Sequence, residues 1–346
     1  MVPLPGFRTS LRWNAGYGLA VCPALGLLVT SGEGTPSLGV FRVPTLRDYD
    51  PDGRGLTLVA TMGGREEAPP LDFSLGSELG SGWLAFTGPA TARVLLVSDC
   101  GKGAVHVVDV VRLTHVGYVA APGSISGPRG VAARGRLTAV SACQRYNVGD
   151  HVVHLFEGSG ASWTPLRVLA GGFGAPGPAD GQLNQPKGLR FSADGAHVAV
   201  ADWWNDRVSV FRVSDGAFMR HAVTEVGWPQ DVEEVGRGWL TACQRSDTVE
   251  FVGHTSEVDG AGRAFVALHA ATLGATGTRH GRFRIPTALA LLPDGGLVVR
   301  EMLGARLQVF ASPDAVAMSR MSVRRLALLL LLLLLLLLQS LLLLVM

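Results

Sequence analysis

Short apolar runs rich in Val recur along this chain, broken by Gly, Asp and Pro. Six of these segments align in one frame, and helical periodicity is nearly absent between the two ends. These observations predict an all-β protein: a six-bladed β-propeller of four-stranded antiparallel blades, followed by a C-terminal hydrophobic helix. A lone four-stranded sheet keeps an apolar face in water, and stacking such sheets around an axis buries both faces of each.

Composition agrees with that class. Of 346 residues, 47% are hydrophobic and 17% charged, against about 25% charged in a typical soluble domain. The 45 glycines suit crowded inner strands and turns with positive φ. A coiled coil, a charge-rich disordered chain and a collagen-like repeat are excluded. Net charge is only +2, so no basic excess argues for nucleic acid. Four cysteines without a close pair do not make a disulfide scaffold.

The elements follow in chain order. The first residues lack the apolar core of a secretory signal, which with free thiols points to the cytosolic side of a membrane. Residues 7–13 are expected as a closing strand for the last blade. The blades themselves are expected at roughly 14–62, 82–120, 128–170, 186–223, 229–270 and 286–311, all within a domain of residues 1–311. The frame is set by the last apolar residue of each third strand: Phe41, Val108, Phe156, Phe211, Phe251 and Phe310. Tight turns then begin at Gly32, Asp99, Ala142, Asp202, Ala242 and Glu301, alternating small and acidic. First strands open on Pro128, Pro186, Pro229 and Pro286. SACQR at 141–145 and TACQR at 241–245 stand 100 positions apart, which implies three tandem copies of a two-blade module.

Residues 312–325 form a basic linker carrying Arg320, Arg324 and Arg325. From Leu326 to Met346, 16 of 21 residues are Leu, with Leu328 and Leu338 inside the run. As a helix it spans about 31 Å, the thickness of a bilayer's hydrocarbon core. The arginines before it predict a tail-anchored protein with its propeller in the cytoplasm. The alternative is a low-complexity Leu expansion with no anchoring role.

The fourth unit, GQLNQPKGLRFSADGAHVAVADWWNDRVSVF (181–211), resembles an NHL repeat at Pro186, Gly188, Asp194, Gly195, Asp202, Asn205 and Arg207. The sixth keeps Pro286, Asp294, Gly295, Glu301 and Arg306, with Gly304 replacing the Asn. The other units are more degenerate. The resemblance implies a six-bladed ring used mostly to recognise proteins or RNA, and in some relatives for lyase or hydrolase chemistry.

Asp99, Asp202 and Glu301 are three carboxylates that a metal would need; the favoured reading is that each caps its own turn, with Asn205 and Arg207 as further turn residues. Cys100, Cys143 and Cys243 fall at one blade position, shared with Trp203, and read as small buried side chains. Nine scattered histidines, with no HExxH, GxSxG or Walker loop, offer no catalytic constellation. Asp231, Glu233 and Glu234 are the acidic group on an inner strand. No catalytic residue, metal or cofactor is expected. Loops from second to third strands and between blades emerge on one face, which collects Gln144, Arg145, Trp203, Trp204, Gln244 and Arg245, residue types that binding surfaces use. The reading is a non-enzymatic scaffold presenting that face to a protein partner. A propeller lyase or lactonase with a channel metal is the alternative, and RNA binding a thinner third.

Overall fold

A computed structural model describes residues 10–12, 17–32, 37–43, 56–63, 82–87, 94–144, 150–172, 176–236, 238–254, 267–293 and 295–310. Arg145, Asp294, the basic linker and the Leu run with Leu328 and Leu338 lie outside the described residues. Among those described, no helix is long and apolar enough to cross a membrane.

The described chain is all-β, in six four-stranded antiparallel sheets. Blade 1 holds β2 (Leu19–Cys22), β3 (Leu27–Ser31), β4 (Leu38–Arg42) and β5 (Thr57–Met62). Blade 2 holds β6 (Leu84–Thr87), β7 (Val94–Asp99), β8 (Ala104–Asp109) and β9 (Thr114–Ala120). Blade 3 holds β10 (Pro128–Arg134), β11 (Leu137–Cys143), β12 (His151–Ser159) and β13 (Ser162–Gly172). Blade 4 holds β14 (Pro186–Phe191), β15 (His197–Asp202), β16 (Arg207–Arg212) and β17 (Phe218–Val223). Blade 5 holds β18 (Pro229–Val235), β19 (Gly238–Cys243), β20 (Thr248–His254) and β21 (Ala267–Leu273). Blade 6 holds β22 (Pro286–Leu291), β23 (Leu297–Glu301) and β24 (Arg306–Phe310), and its fourth strand is β1 (Ser10–Arg12) from the other end of the chain.

The innermost strands β2, β6, β10, β14, β18 and β22 each neighbour the next, and β22 returns to β2, so the sheets form a closed ring. A separate apolar core fills each gap between successive blades, for example Leu189, Val198 and Phe211 against Ala132, Val153 and Leu155. Middle strands are therefore covered on both faces, and β8 and β19 are buried at every residue. Outer strands alternate less and face water, as β9 does. Two contacts close the ring. β1 pairs with β24 from Ser10↔Gln308 to Arg12↔Arg306, and the buried Arg300 of blade 6 donates to Thr30 Oγ1 of blade 1.

Strand pairing corrects the expected frame. The final second-strand residue, which closes the turn, is Ser31 (with Leu38), Asp99 (with Ala104), Cys143 (with His151), Asp202 (with Arg207), Cys243 (with Thr248) and Glu301 (with Arg306). Ala142 pairs with Pro128 as Asp202 pairs with Pro186 and Glu301 with Pro286. Gly32 stands four residues after Leu28, the partner of Phe41, as Asp202 stands four after Val198, the partner of Phe211. Both hold the place of the acids, and only Ala242 does not, because Pro229 pairs with Cys243. In blade 5 the residue that fills the gap toward blade 4 is Val252, while Phe251 packs toward blade 6. An aromatic residue was the wrong landmark there, because both faces of that strand are apolar. Cys100, Cys143 and Trp203 thus share one place, level with Gln244, and Cys243 stands one place before them, level with Asp99 and Asp202.

Candidate functional site

The loops that enter blades 3 to 6 share one construction. Three residues before each opening proline an apolar side chain is buried: Ile125, Leu183, Val226 and Phe283. One residue before the proline the backbone turns left-handed, at Gly127 (φ 61°), Gln185 (55°), Trp228 (54°) and Ile285 (55°). Three of these residues offer their carbonyls to the following turn: Gly127 to Cys143 N–H (3.0 Å), Trp228 to Gln244 N–H (3.1 Å) and Ile285 to Met302 N–H (2.9 Å). A residue before proline ordinarily avoids the helical regions, so the buried plug and these bonds hold a conformation costing on the order of 1–3 kcal/mol. For Trp228 the result is an indole thrust outward, 36% exposed.

The acidic turn residues bind these loops rather than their own turns alone. Asp202 is fully buried and accepts from Asn184 N–H (2.6 Å), Asn205 Nδ2 (2.8 Å) and Arg207 Nε (2.8 Å). Arg207 donates onward to the carbonyls of Pro178 (2.6 Å), Gln182 (2.9 Å) and Ala179 (3.2 Å). Blade 6 repeats the clamp: Glu301 accepts from Arg284 N–H (2.8 Å), Arg306 Nε (2.6 Å) and Gln308 Nε2 (2.6 Å), and Arg306 reaches Arg282 O at 2.7 Å. Asp99 does cap its own turn, at Lys102 N–H (3.1 Å), and adds His106 at 3.4 Å. Burial pushes Asp202 up to about 6 despite its three donors.

On the face above these clamps, several of the expected residues meet. Trp203 and Trp204 stack at 5.7 Å, and Trp228 lies 5.2 Å from Trp203. The Trp203 indole N–H donates to Gln244 Oε1 (3.2 Å), which also accepts from Gln230 Nε2. The Arg245 guanidinium lies over Trp228 at 5.8 Å, a cation–π distance. Both Trp203 and Trp204 are half-buried, so they pack and remain reachable. Beside them an open groove of about 670 Å³ runs between blades 4 and 5, lined in part by Asp206, Arg207, His221, Glu225 and Arg245. Gln144, exposed, belongs to the neighbouring gap, where its carbonyl accepts from Gln185 Nε2 (2.6 Å).

Residues after the opening prolines point to no solvent: Arg129, Lys187, Gln230 and Thr287 are all buried on four consecutive inner strands. Lys187 stands 4.9 Å over the Trp203 ring. Lys187, Gln230 and Trp228 escaped the sequence reading, although the residue after each opening proline and the Gly-Trp-Pro run at 227–229 were there to be weighed.

The inner-strand acids are occupied. Asp231 accepts from Leu289 N–H (2.9 Å) in the next blade and from Val232 N–H (2.9 Å), while Glu233 pairs with Arg190 and Glu234 accepts from Ala193 N–H. Among the described residues no group of three side chains is placed to hold a metal. Burial lifts Asp231 to about 6, above the unfolded value of about 3.9. The folded state then binds the proton more tightly, so this residue's contribution to stability falls as pH rises from about 4 through 6. Urea denaturation at pH 4.5 and 7.5 is expected to show a fall that is smaller by about 2 kcal/mol in Asp231→Asn than in the wild type, the remainder coming from the other raised carboxyls such as Asp202.

No family model matches the chain, and no curated protein sequence matches it. Among solved structures, the hydrazine synthase of Kuenenia stuttgartiensis is similar with a TM-score of 0.53 and 14% identity, over 86% of this chain and 83% of that one. The two share a propeller architecture. A structure of a nidogen/laminin complex gives a TM-score of 0.49 at 14% identity, covering 68% of this chain and 75% of that one. At such identity the likeness concerns the fold alone.

Proposed function

We propose that this propeller is a non-enzymatic interaction scaffold of NHL-like construction that binds a protein partner through the face carrying Trp203, Trp204, Trp228, Gln244 and Arg245. The observation that carries it is the aromatic and arginine cluster on two adjacent blades, beside an open groove and on a rigid ring. Large rigid aromatics and Arg dominate binding energy at protein interfaces. Anchoring of the ring to a membrane through residues 326–346 belongs to the same proposal; a membrane fraction that keeps the full chain but releases the chain truncated at 325 supports it, and equal solubility of the two removes it.

The face is tested with a double variant, Trp228→Gly and Arg245→Ala. Glycine suits φ 54°, so the ring is expected to fold with little or no loss of stability. Affinity capture is compared with a control altered on the opposite face, Arg136→Ala with Arg212→Ala. Partners kept by the wild type and the control and lost at least tenfold by Trp228→Gly/Arg245→Ala are the expected result; identical capture by all three overturns the assignment.

A further inference from the structure

We propose that the loop entering blade 6 extends the binding face with a row of arginines, Arg279, Arg282 and Arg284, that receives an acidic segment of the protein partner. The proposal rests on the preceding reading of that face and adds the chemistry of what docks there.

The chain supplies its own control for these arginines, because the loops entering blades 4 and 6 are built alike. Leu183 and Phe283 are their buried plugs, and Pro186 and Pro286 open the strands that follow. The same backbone bonds recur. Gln182 N–H donates to Ala179 O and Arg282 N–H to Arg279 O, both at 3.0 Å. Gly177 N–H donates to Leu183 O (3.3 Å) and Gly277 N–H to Phe283 O (2.9 Å). Each loop also wraps a clamp guanidinium: Arg207 gathers the carbonyls of Ala179 and Gln182, and Arg306 those of Arg279 and Arg282. Blade 4 completes this construction with Ala179, Gln182 and Asn184 at the places where blade 6 has its three arginines. The loop therefore closes without their charge.

All three arginines are exposed. Among the described residues none of them, nor Arg245, is paired with a carboxylate. Arg282 is held in place: its Nη1 donates to Thr276 O (3.2 Å), and its stem lies where a Cβ at Gly277 would come within 2.8 Å of Cδ. Three like charges on one short loop repel each other, and an arriving carboxylate relieves that repulsion. Guanidinium forks match carboxylates bidentately, and arginine clusters receive acidic motifs.

The row is continuous with the aromatic cluster. Ile285 N–H donates to Asp247 Oδ1 (2.7 Å) as Trp228 N–H donates to Asp206 Oδ1 (2.9 Å), so each entry loop is pinned to the turn of the preceding blade. Arg245, over Trp228, stands two residues before Asp247. Leu303, 54% exposed, follows Met302, whose N–H donates to Ile285 O. Charge along this strip is uneven. Asp180, Asp206 and Glu225 lie on the loops around the tryptophans, and the arginines lie beyond Arg245 toward blade 6. A protein segment with its carboxylates at the blade 6 end fits that polarity. An RNA strand crossing the strip would set phosphates against Asp206 and Glu225, and a net charge of +2 gives no wider basic field to offset this.

The test uses full-length protein in detergent micelles and three fluorescein-labelled probes read by anisotropy. They are the peptide Gly-Glu-Leu-Glu-Asp-Glu-Leu-Gly, its counterpart with Gln and Asn for Glu and Asp, and a short oligouridine. The acidic peptide is expected to bind at least tenfold more tightly than the other two, and more weakly as salt is raised. Arg279→Ala/Arg282→Gln/Arg284→Asn, which borrows the residues blade 4 already uses, is expected to keep the wild-type urea midpoint and lose at least tenfold in affinity. Arg112→Ala/Arg136→Ala/Arg212→Ala removes as much charge from the opposite face and is expected to bind as the wild type does. Arg279→Glu/Arg282→Glu/Arg284→Glu is expected to prefer a lysine counterpart of the peptide. Equal affinity for the acidic and neutral peptides, tighter binding of the oligouridine, or undiminished binding by Arg279→Ala/Arg282→Gln/Arg284→Asn overturns the proposal. Should that variant keep a partner that Trp228→Gly/Arg245→Ala loses, the aromatic face stands and only the arginine row is wrong.

Discussion

Replacing Arg207 by Ala is expected to lower the free energy of unfolding by about 3–5 kcal/mol, the cost of breaking a buried ion pair by removing one partner. Asp202 would keep its burial and lose the cation it is paired with, and the carbonyls of Pro178, Ala179 and Gln182 would lose their shared donor. The loop that enters blade 4 is held by that guanidinium, so the loss extends to the Leu183 plug beneath it. Urea denaturation measures the change. Arg212→Ala is the internal contrast: its pairing with Asp215 is solvent-exposed, and such pairs contribute about 0–1 kcal/mol. Equal effects from the two substitutions would show that the clamp is ornamental. Arg306→Ala, at the corresponding place in blade 6, should resemble Arg207→Ala.

Phe283→Ala carries the second large effect, about 3–5 kcal/mol, from lost burial and the cavity left behind. The ring is fully buried, lies 5.9 Å from Phe310, and is covered by Gly274, where an added Cβ would come within 2.4 Å of it. Collapse around the cavity is opposed because the same loop is tied by Glu301 and Arg306. Leu183→Ala should cost about 2–5 kcal/mol by the same argument. The two plugs lie in different inter-blade gaps, so the double variant is expected to show additive losses. A marked shortfall from additivity, read from urea titrations of the single and double variants, would mean that one loop already unfolds when the other is cut.

The architecture was legible because strand length, turn residues and the recurrence of both are local properties. What was illegible has one physical root. In a strand packed on both faces, alternation no longer says which side a residue takes. Phe251 and Val252 are both apolar neighbours, and only the pairing of Cys243 with Thr248 shows that Val252 fills the place held elsewhere by Phe211 and Phe310. The same ambiguity hid Lys187, a polar residue at the start of an inner strand that is buried over the Trp203 ring. Asp202 could be recognised as a turn residue, yet its backbone partner Asn184 lies 18 positions earlier, with no nearby signal. Of the residues proposed for the binding face, Trp203, Trp204 and Gln244 were placed together by the loop argument because they follow strand ends; Trp228 was missed because its exposure comes from a left-handed backbone.

The sixth sheet joins β1 to β24, the first and last of the described strands in chain order. On the ribosome, β1 emerges early and then waits for about 300 residues of synthesis, tens of seconds at roughly 5–20 residues per second. Over that interval its hydrogen-bonding edge is unsatisfied, an invitation to wrong pairing that a nascent chain must survive. Completion of the circle is therefore an event that follows translation of residue 310, and any factor that shields β1 until then would govern the yield of the finished protein.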